Sequence, residues 1–156
     1  MLFLRGLLLV SALVIVTTSA ELENPCRSDW VQATFVDMGC LYLEPTERFS
    51  WDAAAAYCQT VQNGSLVEIY TEEQFAFVQL NLEMLEGHWW TGGTDAGREG
   101  EWIWIRSLQV LPDIWFADGE SDGGTERNCM YLYPSNGGFY GGPCSTSFKP
   151  ICQRNV

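Results

Sequence analysis

This 156-residue chain has six cysteines and one histidine, residue types that can act as nucleophiles or bind zinc. The even number of cysteines predicts three disulfides if the chain passes through an oxidising compartment. Zinc is disfavoured because no C-x-x-C pair exists and His88 is the only imidazole. Spacing alone leaves every pairing of the six open. The cysteines are Cys26, Cys40, Cys58, Cys129, Cys144 and Cys152.

The first twenty residues have the pattern of a secretory signal peptide. Arg5 supplies a positive charge, residues 6–16 are apolar, and Thr18 and Ala20 form a small-residue cleavage site. The alternative, a membrane anchor, needs about 20 apolar residues. We therefore expect a secreted, extracellular protein with no membrane insertion. The predicted organisation is a signal peptide at 1–20, a short N-terminal segment at 21–25 and one domain at 26–153.

The charge balance of the chain excludes two classes of partner. It has 20 acidic and 8 basic side chains, a net charge of -12 and an isoelectric point near 4.2. Such a protein repels phosphate backbones and anionic lipids, so we expect no nucleic-acid partner. With 47% hydrophobic residues the composition is that of a folded domain.

Two helices are predicted in the first half of the chain. Ser50 is a candidate N-cap for a helix over 51–60 that ends by Asn63-Gly64 and buries Trp51, Ala55 and Cys58 on one face. A strand is predicted at 66–69. The sequence Thr71-Glu72-Glu73-Gln74 is a capping box for the second helix, which we expect to end at Gly87. Its predicted core stripe is Phe75, Val78, Leu82 and Leu85.

The second half of the chain is typical of strands and turns. Residues 106–128 carry little regular pattern and, with Pro112, several acids and three glycines, predict one long loop. A long loop in a small domain is usually functional. Helices followed by strands indicate an α+β fold. The predicted strands are 89–93, 101–105, 129–133, 139–140 and 148–153.

The motifs of the chain, taken in their order along the sequence, resemble those of the C-type lectin-like domain in its long form. The chain is most similar to the secreted single-domain lectins of invertebrates, where the W-x-G-G-T-D form is familiar. The resemblance covers essentially all of 26–153. The motifs that carry it are Cys26-x3-Trp30 with Cys40-Leu41-Tyr42, Ser50-Trp51-x-x-Ala54-x-x-x-Cys58, Trp90-Thr91-Gly92-Gly93-Thr94-Asp95, Asn128-Cys129 and Ile151-Cys152.

The resemblance implies one disulfide pairing and a packed aromatic core. The implied bonds are Cys26–Cys40, Cys58–Cys152 and Cys129–Cys144, which leave no free thiol for catalysis. The tryptophans implied to be in the core are Trp51, Trp90, Trp102 and Trp104, whereas Trp115 and Tyr140 could belong either to the core or to a site.

The resemblance also implies a calcium site in the long loop, and this chain keeps only part of it. Glu120-Ser121-Asp122 stands where the family has Glu-Pro-Asn or Gln-Pro-Asp, so we expect a trans bond before Ser121. Arg127 replaces a ligand glutamate, and residues 139–141 (Phe-Tyr-Gly) replace Trp-Asn-Asp. Glu120 and Asp122 are the remnant metal positions. We therefore predict that calcium, the family's cofactor, is not bound.

A sugar can also be held without a metal, by aromatic faces and by carboxylates that accept hydroxyl hydrogen bonds. The loop offers acids beside aromatic residues that we expect to be exposed, although a solvated acidic loop is the alternative for each acid taken singly. The candidate ligand-binding residues are Glu120, Asp122, Glu126, Trp115 and Tyr140, with Phe116 and Phe139 as further exposed aromatics.

The resemblance implies a secreted lectin that contacts microbial or self glycans through residues 113–142. The alternative is a calcium-independent module that binds a basic protein partner. An enzyme is disfavoured, because His88 has no second base and no G-x-S-x-G motif exists. Asn63-Gly64-Ser65 is a candidate N-glycosylation site, with an unmodified turn as the alternative.

Overall fold

The computed structural model describes residues 25–35, 37–111, 115–121 and 123–155. These residues form the predicted α+β fold of two helices and a mixed sheet. The predicted signal peptide lies outside them, and in the described part no helix is long and apolar enough to cross a membrane. The elements are β1 (Val31–Gln32), β2 (Cys40–Leu43), α1 (Trp51–Thr60), β3 (Ser65–Leu66), α2 (Glu72–Leu82), β4 (Trp89–Thr94), β5 (Ile103–Trp104), β6 (Cys129–Leu132), β7 (Phe139–Gly142) and β8 (Lys149–Arg154).

The last strand, β8, connects the two halves of the sheet. The strand order is β1-β2-β8-β4-β6-β7, with β3 also paired to β8 and β5 paired to β4. β8 runs antiparallel to β2 and β3 but parallel to β4, where Trp89 is opposite Lys149. The strands beside the long loop are therefore tied to the N-terminal hairpin through β8.

Helix α1 has the predicted bounds, but its buried face differs by one residue. Trp51, Ala54 and Cys58 are buried, while Ala55, predicted to be buried, is only half-buried. The Ser50 side chain makes no capping hydrogen bond. The first turn is held instead by the Trp51 N–H, which donates to the carbonyl of Cys144 at 2.9 Å. The indole of Trp51 donates to the carbonyl of Thr91 at 2.8 Å.

Helix α2 begins as predicted and ends five residues before Gly87. The Thr71 hydroxyl accepts from the N–H of Gln74 at 3.2 Å, and the Gln74 side chain accepts from the N–H of Tyr70 at 2.7 Å. Val78 and Leu82 are buried, as predicted. The prediction for Leu85 is wrong: beyond the end of the helix it lies in a tight turn and is 37% exposed.

The predicted strand over 66–69 is shorter than expected, although its residues are buried. Only Ser65–Leu66 forms a strand beside β8, although the Val67 N–H still donates to the carbonyl of Ile151 at 2.9 Å. The Glu68 N–H donates to the side chain of Gln153 at 3.0 Å. The buried Glu68 carboxylate in turn accepts from the N–H groups of Arg106 at 2.7 Å and Ser107 at 3.1 Å. A buried acid thus anchors the turn at which the long loop begins.

The three disulfides pair as the resemblance implied: Cys26–Cys40, Cys58–Cys152 and Cys129–Cys144. The Cys58–Cys152 bond joins α1 to β8 across 94 residues of sequence. A cross-link over a loop of that length stabilises the fold by about 4–5 kcal/mol in the chain-entropy model. The tryptophans expected in the core (Trp51, Trp90, Trp102 and Trp104) are all buried.

Candidate ligand-binding site

The long loop is fastened to β7 along part of its described length. The N–H of Ala117 donates to the carbonyl of Phe139 at 3.0 Å, and the N–H of Gly141 donates to the carbonyl of Glu120 at 3.4 Å. The indole of Trp102 donates to the carbonyl of Ser121 at 3.0 Å. Residues 117–121 therefore run along the edge of β7 that does not pair with β6, and Ser121 is also joined to the core through Trp102.

Arg127 occupies the centre of this arrangement. Its Nη2 forms an ion pair with the Glu120 carboxylate, and its Nε donates to the carbonyl oxygen of Gly141 at 2.8 Å. The side chains of Arg127 and Glu120 are 36% and 29% exposed. A guanidinium held by a carboxylate and a backbone carbonyl has little freedom to leave the site.

Two glycines leave room for Arg127. A Cβ on Gly123 would lie 2.4 Å from the Arg127 Cβ, and a Cβ on Gly141 would lie 2.8 Å from the Arg127 carbonyl oxygen. Side chains at either position would displace the arginine. The small, glycine-rich shape of this loop thus has a local steric reason.

Two tyrosine rings lie beside the ion pair. Tyr140 stacks on Tyr131, its partner across β6 and β7, with 5.4 Å between ring centroids and 22° between planes. Burial raises the pKa of Tyr131, the Arg127 charge lowers it, and the Glu120 charge raises it. Both charges therefore act on the half-buried Tyr131 ring. The arrangement combines aromatic surface with a hydrogen-bond donor and an acceptor.

Trp115 lies on the other side of β7 and does not join this group. Its ring centroid is 6.0 Å from that of Phe75 and 6.3 Å from that of Phe139. The prediction that Phe139 is exposed is wrong, because Phe139 is fully buried. Since successive side chains of a strand point to opposite faces, Tyr140 and Trp115 lie on opposite faces of β7. Phe116 is likewise half-buried against Trp102.

The other two acids predicted to bind a ligand are Glu126 and Asp122. Glu126 is exposed in a 3₁₀ turn over Gly124–Glu126. Asp122 lies outside the described residues. The bond before Ser121 is trans, as predicted, since the described part of the chain has no cis peptide. Of the two acids that the structure describes, Glu120 is the one whose side chain is held by an ion pair.

The described residues of the loop do not fit calcium. The ion takes about six to eight oxygen ligands. Here Glu120 is engaged by Arg127, which itself contributes a positive charge, and Gly141 has no side-chain oxygen. Between residues 25 and 155, wherever the structure describes the chain, no group of three or more His, Cys, Asp or Glu side chains could hold a metal.

Asp95 and Asn128 form a second polar feature at the base of the loop. Asp95 is 3% exposed, and its Oδ2 accepts from the N–H of Gly100 at 3.0 Å. Oδ1 of Asp95 and Oδ1 of Asn128 are buried without a hydrogen-bond partner among the described residues. Burial raises the pKa of Asp95, although the bond from Gly100 opposes the rise.

His88 packs as an aromatic ring. It stacks between Tyr133 and Phe148, with ring centroids 4.7 and 4.8 Å away. Burial lowers the pKa of His88, and the nearby Arg48 charge lowers it further. Both faces of a neutral imidazole are thus covered by neighbouring rings.

Comparison with known proteins agrees with this fold. The family model described as the lectin C-type domain matches residues 47–154. The chain therefore belongs to the C-type lectin domain family. It is 27% identical to the CD209 antigen of Pongo pygmaeus over 138 residues, which are 87% of this chain but only 32% of that protein.

Solved structures give the same result. The cow CD23 carbohydrate-recognition domain, solved in the presence of a GlcNAc2Man3 oligosaccharide, superposes with a TM-score of 0.71 and 25% identity, covering 85% of this chain and 98% of that one. A calcium-independent type II antifreeze protein gives a TM-score of 0.67 with 22% identity, covering 83% of this chain and 94% of that one. The second likeness shows the fold alone.

Tyr131 is the site residue that sequence reasoning missed. It lies in the predicted strand 129–133, but nothing in that strand marks it as a partner of Tyr140. The sequence signal that could have indicated Tyr131 is the alternation of side chains along the strand: Met130 and Leu132 are buried, and Tyr131 between them is half-buried. Strand register, which comes from the structure, is what places the two tyrosines opposite each other.

Proposed function

We propose that this protein is a secreted carbohydrate-binding protein of innate pattern recognition that binds its glycan without calcium. The observation that carries the proposal is the position of Arg127, whose guanidinium is held by Glu120 and by the carbonyl of Gly141. A fixed positive charge at this place opposes the binding of a second cation.

The chemistry of a metal-free sugar site follows from the neighbouring groups. The stacked rings of Tyr131 and Tyr140 offer an apolar edge or face to a pyranose. The carboxylates of Glu120 and Glu126 accept hydrogen bonds from sugar hydroxyls, and Arg127 donates to hydroxyl or ring oxygens. Asp122 lies outside the described residues, and it is proposed as a further acceptor from its place in the sequence alone.

The relatives support a glycan as the ligand class. The cow CD23 domain was solved in the presence of an oligosaccharide. Because this chain spans 32% of the length of the Pongo pygmaeus CD209 antigen, what that whole protein does is not carried over. Secretion is proposed from the pattern of residues 1–20 and is supported by the three disulfides, which persist in oxidising compartments.

Binding rather than catalysis is proposed for two reasons. C-type lectin domains are generally non-enzymatic binding domains. In addition, the single histidine, His88, is covered on both faces by aromatic rings and its pKa is lowered, so it is poorly placed to exchange protons with a ligand.

A glycan array run once with calcium and once with a chelator tests the proposal. We expect the same glycans to be bound in both conditions. We also expect Tyr140→Ala to weaken binding about tenfold, since it removes one ring of the stacked pair. Val110→Ala is the matched control and should have no effect, because Val110 is exposed, bridges to Ile103 and lies outside residues 113–142. Binding lost in chelator would contradict calcium independence, and no glycan bound in either condition would contradict the lectin function.

Recognition of a basic protein is the second candidate function. It is favoured by a different surface, formed by α2 and the residues that follow it.

A further inference from the structure

Helix α2 and the segment after it carry apolar side chains that the domain leaves exposed. Leu80 is 69% exposed and Met84 is 91% exposed. Ala76, which is also exposed, and Leu80 are four residues apart on one face of α2, and Met84 follows in the turn after the helix. The buried stripe of Val78 and Leu82 faces the core, and this second stripe faces solvent.

Two neighbouring cavities border this stripe. One has a volume of about 780 Å³ and is lined by residues that include Glu83, Met84, His88 and Tyr133. The other, of about 320 Å³, is lined by Ala76, Gln79, Leu80, Glu83 and Pro134. Because Glu83 and Pro134 line both, the cavities form one groove between the exposed face of α2 and the turn at 133–135. We call this the α2 groove.

The electrostatics of the α2 groove favour a positive occupant. Glu83 and Glu86 line it near the C-terminal end of α2, and α2 has no basic residue in its last turn. The end of a helix carries a partial negative charge, which these glutamates reinforce. No Lys or Arg occurs anywhere between residues 49 and 97. The neighbouring cation is Arg48, whose guanidinium would lie 3.7 Å from a Cβ on Gly87.

The lining of the groove argues against a glycan. Sugars bind the faces of aromatic rings, and both faces of His88 are covered by Tyr133 and Phe148. Leu80 and Met84 are flexible aliphatic side chains, which adapt well to apolar side chains of a peptide. A second copy of this chain is also disfavoured, since two proteins of net charge -12 would bring the same glutamates together.

We propose that the α2 groove binds a basic amphipathic segment of a partner protein. Apolar side chains of the segment pack on Leu80 and Met84, and its Lys or Arg side chains pair with Glu83 and Glu86. This site is separate from Tyr140 and the Glu120–Arg127 pair, so it stands or falls independently of the glycan proposal.

The test uses a fluorescently labelled amphipathic peptide of Leu and Lys and a matched peptide of Leu and Glu, titrated with the purified protein at low and at physiological salt. We expect the Leu/Lys peptide to bind, more weakly at higher salt, and the Leu/Glu peptide not to bind. Leu80→Ser with Met84→Ser should weaken binding about tenfold or more. Glu83→Lys with Glu86→Lys should transfer the preference to the Leu/Glu peptide, and these lysines suit a helix C-terminus, so folding is preserved.

Val61→Ser is the control, because Val61 is 59% exposed and does not line the groove. Tyr140→Ala should leave peptide binding unchanged. The proposal would be overturned if the Leu/Lys peptide did not bind or if both peptides bound equally. Leu/Lys binding that the groove variants leave unchanged would also overturn it, because it would show a general attraction to an acidic protein. Two further results would also overturn it: sedimentation showing a dimer that Leu80→Ser with Met84→Ser dissociates, and displacement of the Leu/Lys peptide by a synthetic peptide of residues 1–24.

Discussion

The Arg127 guanidinium is joined to the Glu120 carboxylate on one side and to the carbonyl oxygen of Gly141, 2.8 Å away, on the other. This relationship ties the long loop to β7 through a side chain. In the family, the resemblance implies a calcium ion in this part of the fold. An arginine here supplies a positive charge that belongs to the chain and is paired with the Glu120 carboxylate.

The Glu120–Arg127 pair should show a measurable coupling energy. We expect a double-mutant cycle with Glu120→Gln and Arg127→Met, followed by urea unfolding, to give about 0.5–1 kcal/mol, because both side chains are partly exposed. The matched control is the Arg98–Glu101 pair, whose side chains are 76% and 50% exposed and whose coupling should be smaller. A coupling for Glu120–Arg127 no larger than that of the control pair would contradict a fixed arginine.

Asp95 should make stability depend on pH. Its folded-state pKa is raised by burial, so the folded state binds the proton more tightly than the unfolded state. The ionised form is therefore the destabilising one. The free energy of unfolding should fall as the pH rises from the unfolded-state pKa through the raised folded-state pKa, and the loss should persist above it.

Asp95→Asn tests this directly. The substitution replaces a buried carboxylate with a neutral amide of the same shape, so we expect it to stabilise the protein at neutral pH by about 1 kcal/mol, the low end of the cost of burying a polar group. The gain should shrink as the pH is lowered below the folded-state pKa, where wild-type Asp95 is protonated. Denaturant unfolding at a series of pH values measures both effects. The prediction would be contradicted by an Asp95→Asn variant that is less stable than wild type at neutral pH, or by a gain in stability that does not change with pH.

The sequon at Asn63 should carry a glycan when the protein is secreted from eukaryotic cells. Asn63 is exposed in the turn after α1, whereas the Ser65 hydroxyl is buried and a Cβ on Gly64 would lie 2.2 Å from the carbonyl of Gln153. The glycan must therefore be added before β3 pairs with β8. We expect Asn63→Asp and Ser65→Ala to cause the same loss of mass on a denaturing gel. Wild-type protein that migrates with both variants would show an unmodified turn.

The sequence predicted the elements whose patterns are local. Ser50 and Thr71 mark where the two helices begin. The resemblance, not a local pattern, placed Trp90 and Trp104 in the core, where they lie. The end of α2 was not predictable in the same way. Gly87 is a plausible stop in sequence, but the helix ends at Leu82 by a tight turn in which Leu85 N–H donates to the carbonyl of Leu82, so Leu85 is exposed.

The site was predicted less completely, because it depends on contacts between distant residues. Glu120 and Arg127 were both singled out, and the structure brings them together. Phe139 and Tyr140 looked equivalent in sequence, yet alternation along β7 places Phe139 in the core and Tyr140 on the opposite face. The stacking of Tyr140 on Tyr131 follows from the register of β6 and β7.

A calorimetric titration with calcium shows whether Arg127 has replaced the metal. We expect no heat of binding up to millimolar calcium and no change in the melting temperature, because Arg127 holds Glu120 and supplies the charge itself. Binding in the micromolar to low-millimolar range, abolished by Glu120→Ala together with Asp122→Ala, would contradict it.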